Sequence, residues 1–560
     1  MAAPDRRLEV IHFNDVYNIE AGAQEPIGGA ARFVAKVNAL RGSLPSPPLV
    51  LFSGDAFAPS MLSIQTLGKH MPAVLNAAGV AAACLGNHDL DYGLDNFVSL
   101  AAECSFPWLL ANVLDRQTGE PLGGARRTLL LDHAGVRVGL VGLAEAEWAK
   151  CLSCLEPEEL TVLPFIEEGR RAARELRAAG AEVVLALTHM RVPNDLALAA
   201  AAPEIDAVLG GHDHHVQVEL VQPHGNLLVK SGTDFRQFTH VTVTLPSQSR
   251  PRFSWRTHEV RGADPEDAAV AAHVADHAAA LGGRLDEVLA VSLTPLDGRF
   301  DAVRSAESNL GSLFCDVLRR ACSADVCILN SGTFRSDVVH PAGPFTLRDL
   351  LAVLPMMDDS VVLEVTGAQL LAALENGVSA WPKREGRFPQ VSGVRFSYDP
   401  SRPPGARVLP GSVTVGSERA PLDPGARYAL ATKAFLAEGK DGFDVLLGSR
   451  VLLDAEVAPQ LPTVLRNYAR MLEPRLLRRQ VLNLLDPTAR VGAFAKRWAQ
   501  ARKNSGRDRA TDLIATGNCV RHPVSGRFVV APTVDGRITR VGGSDAAGGG
   551  GGGSGSGGAP

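Results

Sequence analysis

The stretch Gly86-Asn87-His88-Asp89-Leu90-Asp91 follows an apolar run and places amide, imidazole and carboxylate groups side by side. Three other polar strings also follow apolar runs: Gly54-Asp55, Thr188-His189 and Gly210-Gly211-His212-Asp213-His214. Open α/β folds place their sites just beyond the carboxyl ends of such strands. We therefore expect these strings, with Asn14-Asp15 ahead of them, to meet in one site of an α/β fold.

Short β-rich runs alternate with helical patterns around this stretch, which is typical of layered α/β domains. The predicted strands are Leu8–Phe13, Leu49–Ser53, Val136–Leu143, Val183–Leu187 and Ala207–Leu209, and the predicted helices include Ala30–Leu40, Asp95–Glu103 and Ile166–Ala179.

The chain has 560 residues, more than one hydrophobic core usually fills, so at least two domains are expected. An alanine-rich helical pattern predicts a connecting helix between two α/β segments. The Gly/Ser-rich end cannot bury a core and is expected to be disordered. The predicted division is a first domain over 1–262, a connecting helix over 263–287, a second α/β domain over 288–450, an extension over 451–541 that is helical to about Asn504 and β-like near Arg527–Val541, and a tail over 542–560.

The net charge of -5 offers no general attraction to a nucleic acid polymer or an anionic membrane. The first residues lack an apolar signal core and no run reaches membrane-spanning length, so we expect a cytoplasmic protein. In that compartment the eight cysteines are expected to be reduced thiols. Cys151 and Cys154 form a lone C-x-x-C pair, which we interpret as structural because a four-ligand zinc site needs a second pair.

The polar strings supply carboxylate, amide and imidazole ligands in an arrangement that suits two adjacent divalent metals. Two such metals, about 3.5 to 4 Å apart, need one shared carboxylate, for which Asp55 is our candidate. His189, His212 and Asn87 would hold one metal, and Asp15 and His214 the other. This ligand mixture suits Zn, Mn, Fe or Co rather than Ca. The chemistry predicted is hydrolysis of a small phosphate ester by a metal-bridging hydroxide.

His88 cannot easily share a metal with its neighbour Asn87 and is better interpreted as facing the substrate. There it would assist the departing oxygen, a contribution of roughly 10²- to 10⁴-fold for a positioned acid. Asp91 lies one helical turn further on and could fix the imidazole tautomer. We therefore predict that His88 and Asp91 act as a catalytic dyad.

These motifs resemble the calcineurin-like metallophosphoesterases, and the chain to about Arg450 resembles the 5′-nucleotidase family. The resemblance implies a four-layer α/β-β-α domain followed by a smaller α/β substrate-binding domain that rotates onto the metals. By motif match it assigns the metal ligands to Asp15, Asp55, Asn87, His189, His212 and His214, and the dyad to His88 and Asp91.

The opening motif departs from that family, whose Asn-Asp-x-His string is here Asn14-Asp15-Val16-Tyr17. A neutral phenol is a poor ligand for Zn or Mn, because its ordinary pKa is about 10. Three outcomes are open: a weaker first metal site, a mixed-valence iron site, or a tyrosine that only packs. The weaker site is our expectation.

In the second domain, Asn330 and Arg335 match the family's Asn-Gly-Gly-x-x-Arg segment, and Arg304 matches an arginine ahead of Glu307. Arginine forks bind phosphate or carboxylate oxygens in a bidentate manner, so both arginines are predicted substrate clamps. A structural ion pair is the alternative interpretation.

Phe443 matches one of two rings that sandwich the nucleobase in that family, and Met356 stands where the other ring would be. A thioether keeps apolar contact but loses stacking, which is worth about 1 to 3 kcal/mol per base in single-strand binders. Nucleoside 5′-monophosphates are the expected substrates, with a sugar phosphate or a cyclic nucleotide as alternatives. A different class of function, a catalytically weak protein that binds phosphorylated ligands, is motivated by Tyr17 and Met356.

Overall fold

The computed structural model describes residues 6–150, 152, 155, 157–246, 250–356, 358–471, 519–521 and 528–541. Cys151, Cys154, the tail over 542–560 and the predicted helical stretch beyond Met471 lie outside the described residues. No helix within those ranges is both long and apolar enough to cross a membrane.

The first part of the chain forms strands and helices in alternation. In chain order they are β1 (Arg6–Phe13), α1 (Ala30–Ser43), β2 (Leu49–Phe52), α2 (Met61–Thr66), α3 (Met71–Ala78), β3 (Val80–Cys84), α4 (Leu94–Glu103), β4 (Trp108–Leu109), β5 (Val113–Asp115), β6 (Thr128–His133), β7 (Val136–Ala144), β8 (Leu160–Val162), α5 (Phe165–Ala178), β9 (Val183–His189), α6 (Val192–Ala201), β10 (Ala207–Gly211), β11 (Val216–Val221), β12 (Asn226–Ser231), β13 (Gln237–Leu245) and β14 (Arg252–Glu259).

Two six-stranded sheets form the centre of this part, in the orders β14-β13-β1-β2-β3-β4 and β11-β12-β10-β9-β7-β6. Their facing side chains, among them Leu51 and Leu185, make one apolar core. Helices α1, α3 and α4 cover the outer face of the first sheet, and α5 and α6 cover the second. Strands covered on both faces are largely apolar, as β9 is from Val183 to Leu187. The predicted four-layer α/β-β-α architecture is confirmed.

The second part begins with a long helix and continues through a smaller α/β unit. Its elements are α7 (Ala268–Arg284), β15 (Val288–Ser292), β16 (Leu296–Asp297), α8 (Phe300–Val303), α9 (Asn309–Ala321), β17 (Val326–Asn330), β18 (Val339–His340), β19 (Gly343–Thr346), α10 (Leu347–Val353), β20 (Ser360–Thr366), α11 (Gly367–Ser379), β21 (Pro389–Ser392), β22 (Val394–Tyr398), β23 (Thr414–Val415), β24 (Ala420–Pro421), β25 (Arg427–Lys433), α12 (Ala434–Ala437), β26 (Arg450–Leu453), α13 (Leu461–Met471), β27 (Cys519–Arg521), β28 (Phe528–Val530) and β29 (Ile538–Arg540).

A five-stranded sheet in the order β21-β17-β25-β20-β26 organises this unit, with α9, α10 and α13 on one face and α11 on the other. The carboxyl ends of β17, β25 and β26 and the start of β20 share one edge, because β17 and β25 are parallel while β20 runs against β25 and β26. Ile64 of α2 packs into the core beneath α13, so the two parts of the chain are in contact.

Residues after the predicted second domain complete its sheets. Strand β26 pairs with β20 through Leu453, although a helix was expected from Val451; the helix begins at Leu461. The expectation was wrong there because a short apolar run does not reveal its pairing partner. Strand β29 lies parallel to β22, and Arg537 just before it is buried with its guanidinium against Asp316.

Candidate metal centre

The predicted ligands all follow strand ends at one edge of the paired sheets. Asp15 follows β1, Asp55 follows β2 and Asn87 follows β3. His189 is the last residue of β9, and His212 follows β10 with His214 two residues later. Because β1, β2 and β3 are parallel neighbours, as are β9 and β10, these ends meet. The oxygens of Asp15 and Asp55 and a ring nitrogen of His189 lie within 4.8 Å of one another.

Close packing and backbone hydrogen bonds hold the loops of the two carboxylates in unusual backbone conformations. Asp15 and Asp55 have φ of 52° and 62°, and the backbone N–H of Asp15 donates to the carbonyl of Gly54 at 3.0 Å. Non-glycine residues rarely occupy this left-handed region, and such strain gathers at functional sites. Gly54 itself has φ of 87°, and a Cβ there would lie 2.9 Å from Nδ1 of His189. The loop therefore requires glycine beside the ligand.

One side of the site, which we call the His212 half, consists of Asn87, His189 and His212. Nδ1 of His189 donates to the carbonyl of Ser53 at 2.7 Å, which turns Nε2 toward Oδ2 of Asp55, 3.1 Å away. Burial, reinforced by the charge of His189, holds the pKa of His212 well below its ordinary value, so this imidazole is neutral. A neutral imidazole is the form that ligates metals.

Two ligand atoms of the His212 half, Oδ1 of Asn87 and Nε2 of His212, are buried without a hydrogen-bond partner among the described residues, while Nε2 of His189 is paired with the Asp55 carboxylate. Leaving such a group unsatisfied costs about 1 to 3 kcal/mol each. An amide oxygen and two imidazole nitrogens converging beside Asp55 are a fitting donor set for a divalent transition metal. The residues of the His212 half therefore fit the divalent metal that the sequence pattern predicts.

The opposite side, which we call the Tyr17 half, consists of Asp15, Tyr17 and His214. The Tyr17 hydroxyl is 3.1 Å from Oδ1 of Asp15 and 2.9 Å from Nε2 of His214. Burial and the charges of Asp15 and Asp55 raise the pKa of Tyr17 well above its ordinary value. The phenol is therefore neutral and joins the ligand atoms by hydrogen bonds. Asp15 and His214 are near enough to share a cation, but here the hydroxyl satisfies both.

His88 and Asp91 form the contact that their spacing predicted. A 3₁₀ turn over His88–Leu90 brings Nδ1 of His88 to 2.9 Å from Oδ2 of Asp91, and both side chains are buried. Burial acts to lower the pKa of His88, but the charges of Asp91 and Asp55 outweigh it and raise the pKa to about 10. His88 is therefore protonated at neutral pH and can donate from Nε2.

The second part of the chain reaches this site through residues beyond β26. Nε2 of His88 donates to the carbonyl of Glu456 at 2.9 Å, and Nδ1 of His214 lies 3.1 Å from the Glu456 carboxylate. Farther along, Asn467 of α13 donates to the carbonyl of Asp91. The sequence carried no signal for Glu456, because it lies more than 240 residues from His214 and follows no motif.

The predicted clamp arginines lie in the second part of the chain, near the carboxyl end of β17. The Arg304 guanidinium is 4.1 Å from the Phe300 ring centroid, and its Nε is buried without a hydrogen-bond partner in the described ranges. Burial and then the charge of Arg335 lower the pKa of Arg304, which indicates that the two cations are close. Asn330 donates to Asp441 at 2.8 Å. An anion would relieve this arrangement, so the clamp remains a prediction that the geometry permits.

The proposed base-stacking residues differ sharply in exposure. Phe443 is 0% exposed and packs in the core beneath α11, whereas Met356 is 57% exposed. In this structure Phe443 therefore presents no open ring face to a base, and its predicted stacking role is not seen here. The motif match located the residue, but its burial depends on packing that the motif does not specify.

Several buried charged residues behind the ligands were missed. Lys230 is fully buried, lies 2.6 Å from Asp195 and donates to the carbonyls of Met190 and Gly211, each next to a ligand histidine. Glu145 directly follows β7, next to β9 in the sheet, and is 1% exposed. The strand-end rule that located the ligands could also have located Glu145.

Two family models match the chain, and together they cover about two thirds of it. Residues 8–216 match the calcineurin-like phosphoesterase model, and residues 287–448 match the 5′-nucleotidase C-terminal domain. The snake venom 5′-nucleotidase of Gloydius brevicauda is 28% identical over 498 residues, 80% of this chain and 84% of the relative. Human 5′-nucleotidase is 26% identical over 509 residues, 80% of this chain and 85% of the relative.

Solved structures agree with this result. The 5′-nucleotidase precursor of Thermus thermophilus is 27% identical with a TM-score of 0.51, covering 83% of this chain and 96% of its own. The NAD nucleotidase of Haemophilus influenzae, 18% identical with a TM-score of 0.70, covers the same shares and supports the fold.

Fold and site together define a metal-dependent phosphoric ester hydrolase with a calcineurin-like catalytic domain. Within that class, the chain combines the two domain types that its matching models describe, a calcineurin-like phosphoesterase domain and a 5′-nucleotidase C-terminal domain, and relatives named 5′-nucleotidase align with about four fifths of it.

Proposed function

We propose that this hydrolase acts on nucleoside 5′-monophosphates with two divalent metals, drawn from Zn, Mn, Fe and Co. The names of the relatives and the match to the second-domain model support this substrate class. The observation that carries the metal assignment is the pair of orphaned buried ligand atoms, Oδ1 of Asn87 and Nε2 of His212, next to the His189–Asp55 ion pair.

In this proposal Asn87, His189 and His212 hold one cation, Asp15 and His214 hold the other, and Asp55 is shared. Cations bound there would supply an ionised water as nucleophile and neutralise charge on the phosphoryl oxygens. His88, kept protonated by Asp91, donates its Nε2 proton to the departing ester oxygen. The hydrogen bond from Nε2 of His88 to the Glu456 carbonyl must break before Nε2 can donate to the substrate oxygen.

In the second domain, Arg304 and Arg335 are proposed to bind the charged group of the substrate. Asn330 is proposed to orient Asp441 beside them. Arginine forks bind phosphate and carboxylate oxygens equally well, so these residues select charge rather than a base. The predicted cytoplasmic location stays a prediction of the sequence.

A sugar-phosphate phosphatase is the second candidate, and the exposures of Phe443 and Met356 favour it. Without an open aromatic face, the structure offers a base no stacking surface from these two residues. A sugar phosphate needs hydrogen bonds and charge complementarity more than stacking. A cyclic-nucleotide phosphodiesterase is the third candidate.

A phosphate-release panel tests these proposals. The purified chain is assayed with AMP, UMP, 2′,3′-cAMP and glucose phosphates, each in Zn, Mn, Co and Mg. We expect the highest kcat/KM for a nucleoside monophosphate in one of the first three metals. Activity confined to glucose phosphates would establish the second candidate. Binding of phosphate without turnover in any metal would favour a ligand-binding protein.

A further inference from the structure

Arg191 lies two residues beyond the ligand His189, in the turn between β9 and α6. Its backbone N–H donates to one oxygen of Glu145 at 2.9 Å, and its side-chain Nε donates to the other at 2.7 Å. Asn194 also donates to Glu145 at 2.7 Å. Since Glu145 is buried, this carboxylate fixes both the backbone and the guanidinium of Arg191.

The guanidinium is held beside the His212 half of the metal centre. The Glu145 oxygen that accepts from Nε of Arg191 lies 3.9 Å from Nε2 of His212, one of the orphaned ligand atoms. A cation thus stands next to the place where a phosphate would meet the metals.

A segment of the second part of the chain now occupies this place. Asp454 lies with its carboxylate 3.3 Å from Nη1 of Arg191. Two residues later, the Glu456 carbonyl accepts the Nε2 proton of His88. Residues 454 and 456 are at most roughly 7 Å apart along the chain, so Arg191 and His88 contact one short turn, and we call the space that this turn occupies between them the cleft. The segment fills it with a carboxylate at Arg191 and a neutral oxygen at His88.

We propose that Arg191 is a substrate-binding residue, which takes an anionic oxygen of the substrate phosphate through the guanidinium nitrogen that Asp454 now occupies. The inference rests on the proposed function, because it places the phosphate between Arg191 and His88. Glu145 is then a positioning residue, since it binds Nε and leaves Nη1 directed into the cleft. Asp454 and the phosphate compete for the same nitrogen.

Competition predicts opposite effects for two substitutions on the same ion pair. Arg191→Ala removes a charged hydrogen bond to phosphate, which is worth roughly a 10- to 100-fold change in affinity. Asp454→Asn removes the competitor, a half-buried partner whose loss is worth up to about 5-fold. A purely structural ion pair would make both variants change in the same direction.

The test measures binding of inorganic phosphate to the full-length, metal-loaded chain by isothermal titration calorimetry, with metal content determined for every variant. We expect Kd to rise with Arg191→Ala, to rise less with Arg191→Lys, and to fall with Asp454→Asn. In the double variant Arg191→Ala/Asp454→Asn, the Asp454 substitution should have no further effect. Arg170→Ala and Asp264→Asn, which break surface pairs with Glu204 and Lys36, serve as matched controls.

Unchanged phosphate affinity in Arg191→Ala at equal metal content would overturn the proposal, as would weaker binding in Asp454→Asn. If Arg191→Ala loses metal, the phosphate affinities of Arg191→Lys and Asp454→Asn decide whether the proposal stands. Turnover of AMP by the unmodified chain is measured separately. A chain that turns over AMP while both variants bind phosphate normally refutes the role of Arg191 and leaves the proposed function intact.

Discussion

The two halves of the metal centre share Asp55 but satisfy their polar atoms in opposite ways. In the His212 half, two buried ligand atoms, Oδ1 of Asn87 and Nε2 of His212, lack a hydrogen-bond partner among the described residues. In the Tyr17 half, the phenol hydroxyl lies within hydrogen-bonding distance of both Asp15 and His214. The first arrangement is costly without a cation, and the second is already satisfied. We infer that the His212 half binds metal more tightly.

The largest expected effect comes from removing the carboxylate that both halves share. Asp55→Asn should lower kcat by about 10³-fold or more, because losing several kcal/mol of charge stabilisation costs tenfold per 1.36 kcal/mol. Turnover and metal content measured together test this. Undiminished turnover would contradict the assignment of Asp55, and circular dichroism should establish that the variant is folded.

A large loss of turnover is also expected when the His88–Asp91 dyad is disrupted, without loss of metal from either half of the site. His88→Asn should reduce kcat roughly 10²- to 10⁴-fold, because it removes the proton donor. Metal content should match that of the unmodified chain, since His88 ligates neither cation in this proposal. Loss of metal from His88→Asn would mean that the imidazole belongs to the metal centre rather than to proton transfer.

The comparison itself is tested by removing one histidine from each half. His212→Ala should abolish the tightly bound metal, whereas His214→Ala should remove only metal that exchanges easily. Titration with a chelator, followed by metal analysis, gives the two affinities. His133→Ala, a histidine that bonds the Pro47 carbonyl away from the site, is the control. Equal losses in both variants would break the proposed asymmetry.

The smallest expected effect comes from restoring an imidazole in the Tyr17 half. Tyr17→His should tighten the weaker metal about 10- to 100-fold, the range associated with changes around a metal site. Tyr17→Phe is the companion variant, because it removes the hydroxyl without adding a ligand. If both variants bind the weaker metal with the affinity of the unmodified chain, Tyr17 does not weaken metal binding in the Tyr17 half.

The strand-end pattern was enough to predict the layered fold and the meeting of the ligands, because parallel strands bring their carboxyl ends to one edge. The contact between His88 and Asp91 followed from a spacing of one helical turn. Phe443 shows the limit of motif matching: its position was recognised, but its burial depends on neighbours from α11. Tyr17 was noticed as a departure, yet only its contacts revealed that it bridges Asp15 and His214.

By itself the sequence determined the fold class and the family, because both depend on local patterns: apolar periodicity along strands and short polar strings at their ends. The tertiary structure alone decided which ligand atoms are left unsatisfied, where Arg191 is directed and what covers His88. Those features arise from contacts between residues far apart in the chain, such as Glu456 with His88 and Asp454 with Arg191. Neither spacing nor composition encodes such contacts, since they exist only once two parts of the chain pack together.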